Sequence, residues 1–100
     1  GMTYEEIIEA LADYNPDALL LEPRSVYDPC IVGMTDTPND HWPRKPGFVV
    51  AVYDSEMCIE AIMADGECSY SDAVEWFSFN TSGAWVGQNT PTFSHAGWEE

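Results

Sequence analysis

Apolar residues near the amino terminus fall at helical spacing. Ile7, Ala10, Leu11 and Tyr14 repeat at i, i+3, i+4 and i+7, while Glu5, Glu9 and Asp13 take the other side. Thr3 and Glu6 stand three apart as a capping box, in which hydroxyl and carboxylate each satisfy a free backbone N–H. Met2 and Ile7 occupy the two positions of a hydrophobic staple. The pattern predicts a first helix that ends at Asn15-Pro16, because the residue before a proline disfavours helical backbone. Residues 18–21 are a short apolar run cut off by Pro23, which predicts a brief strand. Asp28-Pro29 marks a turn before a second strand candidate, Cys30-Ile31-Val32-Gly33-Met34. The run 48–53, Phe-Val-Val-Ala-Val-Tyr, is the strongest strand, and its unbroken apolar character predicts burial on both faces.

The rest of the chain reads as helices and a tail. Asp54 or Ser55 can cap a helix with Glu56 near its positive end; Ile59, Ile62 and Met63 form its apolar stripe, with Cys58 beside them. Gly66 is the expected left-handed stop. Ser69 and Asp72 repeat the capping pattern for a third helix. Tyr70, Ala73, Val74 and Phe77 line one side of it, and Trp76 and Phe79 are expected to widen that apolar face. From Ser82 on, the chain is rich in glycine and is expected to pack irregularly, with a short strand or turn at 84–86. Between the strand candidates, 36–47 carries Pro38, Pro43 and Pro46 and is expected to be an exposed loop.

This order predicts an α+β fold. A small antiparallel sheet of two to three strands would be packed by the amino-terminal helix and a carboxy-terminal helical hairpin. One hundred residues hold one core, so residues 2–98 are expected to form a single globular domain. Gly1, ahead of Met2, reads as a remnant of tag removal.

Charge changes the picture more than composition does. Eighteen acidic residues against three basic ones give a formal net charge of −15. Such a field repels phosphates, so direct nucleic-acid binding and anionic-membrane binding are not expected. It is compatible with a solvated acidic surface, an acidic face for a basic partner, divalent-cation binding or mimicry of nucleic acid. The three cysteines lack C-x-x-C spacing, so neither a disulfide framework nor a zinc site is indicated. With no signal peptide and no apolar run of membrane-spanning length, a cytoplasmic location is expected.

Candidate chemistry is sparse. The two histidines, His41 and His95, lie in the proline-rich loop and the glycine-rich tail. A Cys30–His41 pair would be a nucleophile and base, but nothing in the spacing joins them, and a cysteine on an apolar strand is ordinarily a core residue. Asp36, Asp40 and His41 lack the order of a calcium loop or a zinc helix. No catalytic residue, metal site or cofactor is therefore assigned. Trp42, Arg44 and Lys45 combine an aromatic ring with two of the three cations and are candidate partner contacts. Trp76, Asn80 and Trp85 are candidates for a ligand-stacking groove, the bland alternative being a hydrophobic lid over the core.

Several stretches carry a resemblance. They are Tyr27-Asp28-x-Cys30-Ile31-Val32-Gly33, Val50-x-Val52-Tyr53-Asp54, Cys58-Ile59-Glu60 and Asp65-Gly66. The longest follow, Ser69-Tyr70-Ser71-x-Ala73-x-Glu75-Trp76-Phe77-x-Phe79-Asn80 and Gly83-Ala84-Trp85-Val86-Gly87-x-x-Thr90-Pro91-x-Phe93. In this order they resemble a family of short uncharacterised bacteriophage proteins, also met in environmental phage-derived sequence. The likeness covers roughly residues 27–93; the first helix and the proline-rich loop lie outside it. It implies a phage origin and a small role in the cytoplasm of an infected host cell, and brings no reaction, cofactor or catalytic residue. The function expected is that of a non-catalytic accessory or regulatory factor acting on a host or phage protein. The alternatives are a small-ligand protein or enzyme using the aromatic groove, and an acidic nucleic-acid mimic.

Overall fold

In the first helix, α1 (Tyr4–Tyr14), local signals and tertiary packing agree. Both halves of the capping box form: the Thr3 N–H donates to Glu6 Oε1 at 2.9 Å and the Glu6 N–H to Thr3 Oγ1 at 3.2 Å. Ile7 and Leu11 are buried, whereas Tyr14, placed on the stripe by periodicity, is 69% exposed. Met2, the other half of the staple, is exposed. The computed structural model describes residues 1–36, 48–80 and 87–94, the side chain of Asn80 excepted.

After α1 come the one-turn helix α2 (Arg24–Tyr27), a 3-10 turn (Asp28–Cys30) and strand β1 (Ile31–Thr35). Strand β2 (Val50–Asp54) runs directly into α3 (Ser55–Gly66), which is followed by α4 (Tyr70–Asn80) and β3 (Thr92–Ser94). The α+β class expected from the chain order is the class observed, with two corrections to its strands.

Residues 18–21 are not a strand. They form no ladder: the Leu19 N–H donates to the Asn89 carbonyl at 3.1 Å and the Leu21 N–H to the Tyr53 hydroxyl at 2.8 Å. Apolar character draws this segment onto the core, but its backbone is satisfied by isolated acceptors rather than by a neighbouring strand. The helix α2 was not foreseen.

The sheet, ordered β1-β2-β3, is mixed rather than antiparallel throughout. β1 pairs antiparallel with β2, Ile31 opposite Tyr53 and Thr35 opposite Val50, with a bulge between Ile31 and Gly33 that sets Val32 outward. β3 pairs parallel with β2, Tyr53 opposite Phe93. Parallel strands need a long crossover, and here the chain between β2 and β3 passes through α3 and α4. The predicted segment at 84–86 lies outside the described residues.

β2 is central and buried on both faces, as its apolar run predicts. Ala51 and Tyr53 join the main core with Ile7, Leu11, Cys58 and Phe77, while Val50, pointing the other way, is also fully buried. Phe93 brings β3 to the helices: its ring lies 5.2 Å from Phe77 at 87° and 5.9 Å from Tyr53. Edge-to-face geometry of this kind is the favoured aromatic arrangement. Asn15 ties three segments together, since its amide donates to the Val49 carbonyl at 2.8 Å and to Asn89 Oδ1 at 2.9 Å.

Asp54 supplies the α3 cap, its carboxylate accepting from the Met57 N–H at 3.0 Å. At the other end Gly66 is still helical and Glu67 holds the left-handed conformation, φ 52° and ψ 49°. The stop therefore falls one residue later than glycine preference suggests, and on a residue whose Cβ makes it costly. Ser69 Oγ accepts from the Asp72 N–H at 3.1 Å and opens α4.

Candidate functional site

Helix α4 has two faces with different partners. Ala73 and Phe77, four apart, are buried against the core, with Val74 partly buried beside them. Phe79 is two residues beyond Phe77, which rotates it about 200° around the axis. It cannot reach the same core. Phe79 is 89% exposed and Trp76 is 57% exposed, so the expectation that both widen the core face is corrected. Asp72, Glu75, Trp76 and Phe79 instead follow one another at i, i+3, i+4 and i+7 along the outer side.

This stripe borders two adjoining depressions. One is a cleft of about 370 Å³ between α2, α3 and α4, with Val26, Tyr27 and Ile62 among its apolar walls, Trp76 on one side, and Asp65 and Asp72 supplying carboxylates. The other is a shallower groove of about 440 Å³ lined by Asp72, Glu75, Trp76 and Phe79. Asp72 and Trp76 belong to both, so the two form one continuous surface. The carboxylates of Asp65, Asp72 and Glu75 have no hydrogen-bond or ion-pair partner among the described residues. The nearby cation Arg24 is already engaged, its Nε donating to Asp28 Oδ1 at 2.7 Å and Oδ2 at 2.9 Å. The local charge is negative.

Of the residues singled out from sequence, Trp76 is placed on this surface, and Asn80 is the last residue of α4. Trp42, Arg44, Lys45 and Trp85 lie outside the described residues, as do His41 and His95. Of the three residues of the expected aromatic groove, Trp76 alone has its side chain among the described residues. The sequence reading missed Asp65, Asp72 and Phe79 as site residues. For Asp72 and Phe79 the missing signal was available, in the i, i+3, i+4, i+7 spacing opposite Ala73 and Phe77. Val26 and Tyr27 join through tertiary contact of α2 with α3 and carry no local signal.

Two of the three cysteines are core residues. Cys30 and Cys58 are buried, and the Cys30 thiol sits 3.7 Å from the Val26 carbonyl. The adjacent Cys30 thiol and burial together push the Cys58 thiol far above its ordinary range. A thiol so held is not a thiolate nucleophile at neutral pH. Among the described residues no group of three or more His, Cys, Asp or Glu side chains is arranged to hold a metal ion. None of the described helices is long and apolar enough to cross a membrane. Compared with protein-family models, curated proteins and solved structures, the chain gives no match.

Proposed function

We propose that this chain is a non-catalytic interaction domain that acts through protein–protein contacts, with the outer face of α4 as its docking surface. One observation carries the reading: two large aromatic side chains one helical turn apart, Trp76 and Phe79, stand on the face turned away from the core. Aromatic residues beside a depression are the usual anchors of protein interfaces. The accessory or regulatory role in phage-infected cells suggested by the sequence resemblance fits such a domain. Trp42, Arg44 and Lys45 remain candidate contacts of the same kind.

The test compares the tagged full chain with a Trp76→Ser/Phe79→Ser variant of equal thermal stability, both expressed in bacterial cells. A host protein bound by the first and lost by the second is the expected result. Identical sets of bound proteins for both would refute the assignment of this face.

A second reading has support in the cleft itself. Its volume of about 370 Å³ falls within the range of small-ligand pockets, and its walls are largely apolar with a few polar groups. A small-molecule ligand would protect the full chain against thermal unfolding, an effect that Cys68→Phe, at a residue lining the cleft, should abolish by filling it.

A further inference from the structure

The depressions on α4 are apolar at their base and anionic at their edge. That combination selects an occupant. A neutral apolar group would leave three carboxylates to lose solvent without a partner, and an anionic group would meet repulsion. A cation on an aliphatic stem satisfies both parts: the stem lies on apolar wall and the head meets carboxylate and indole.

We infer that the cleft receives an arginine or lysine side chain from a partner protein, with its stem against Val26, Tyr27 and Ile62 and its charge between Asp65, Asp72 and the Trp76 ring. The inference rests on the docking reading above and names the chemistry of the partner. Extent favours a polypeptide over a free small cation. The surface continues from the cleft past Trp76 to Glu75 and Phe79, further than one side chain covers. Trp76 and Phe79 are three residues apart on the helix, a rise of about 4.5 Å. A partner helix meeting them would therefore carry its cation and an apolar residue three or four positions apart. The overall charge of −15 steers such a segment toward the domain. The cleft determines where it docks.

The probe is an alanine-based peptide of about 16 residues, long enough to hold a helix, with leucine and arginine at i and i+4 on one face. Its control replaces arginine by citrulline, which keeps the shape and removes the charge. Binding to the full chain is followed by calorimetry, and backbone amide NMR locates it. The arginine peptide is expected to perturb residues of α2 and α4 around Trp76, and citrulline to weaken binding about tenfold, the scale of one charge-assisted hydrogen bond. Asp72→Asn should cost the arginine peptide a similar factor and the citrulline peptide almost nothing. That coupling distinguishes a local contact from attraction to net charge. Circular dichroism verifies that the variant is folded.

Equal affinity for arginine and citrulline peptides, no effect of Asp72→Asn, or perturbations away from the cleft would each overturn the assignment. n-Butylguanidinium, a guanidinium on a short alkyl chain, is the small-molecule arm; binding as tight as that of the peptide would overturn the choice of a protein partner. Loss of the cation effect while a host protein still requires Trp76 and Phe79 would refute only the chemistry proposed here. Independence of that capture from both aromatics would refute the docking reading itself.

Discussion

The buried phenol of Tyr53 makes a prediction that changes sign with pH. Its side chain is wholly buried in the central strand and its hydroxyl accepts the Leu21 N–H at 2.8 Å. Tyr53→Phe leaves that N–H without its acceptor. The site is only partly buried on the Leu21 side, so the loss should be about 1–2 kcal/mol. For a domain of this size that lowers the thermal midpoint by about 5–15 °C. Burial also pushes the phenol pKa well above its ordinary value. In the unfolded chain the phenol ionises at about pH 10, while in the folded protein it keeps its proton. Above pH 10 the unfolded state thus binds fewer protons, and the native protein loses about 1.4 kcal/mol per pH unit that the phenylalanine variant does not lose. The two urea-unfolding free energies should converge near pH 11 and then reverse order. They can be compared at about pH 8, 10 and 11.5 by circular dichroism, the other tyrosines being common to both proteins. A stability difference that stays constant across that range would refute the argument that the phenol is held neutral by burial.

Three further outcomes follow from the packing. Phe77→Ala removes the ring that meets both the core and Phe93, and should cost about 3–5 kcal/mol in urea unfolding. Glu67→Gly relieves a left-handed backbone at φ 52° but loosens the unfolded chain, leaving a net stabilisation of about 0.5–1 kcal/mol; a lower melting temperature would contradict the strain assigned there. Phe79→Ser changes an exposed group, so it should shift the unfolding free energy by less than about 0.5 kcal/mol. A large loss would show that the outer face of α4 is structural at Phe79.

Local sequence determined the pieces whose causes are local. The capping box at Thr3 and Glu6, the Asp54 cap and the helix end at Asn15 each depend on atoms a few residues apart, and each is present. The apolar run of β2 determined its central, doubly buried place. What tertiary structure decided depends on distant groups. A run such as 18–21 becomes a strand only where another strand offers a ladder, and none among the described residues does. The three residues of β3 are too few to carry a period, and their parallel pairing follows from the route through α3 and α4. The same holds for the candidate site. Spacing along α4 places Asp72, Glu75, Trp76 and Phe79 on one side of the helix, but whether that side meets core or open surface depends on where α4 lies. Tertiary packing turned Ala73 and Phe77 inward and brought α2 to α3, because burying one side of a helix turns the other away from the core.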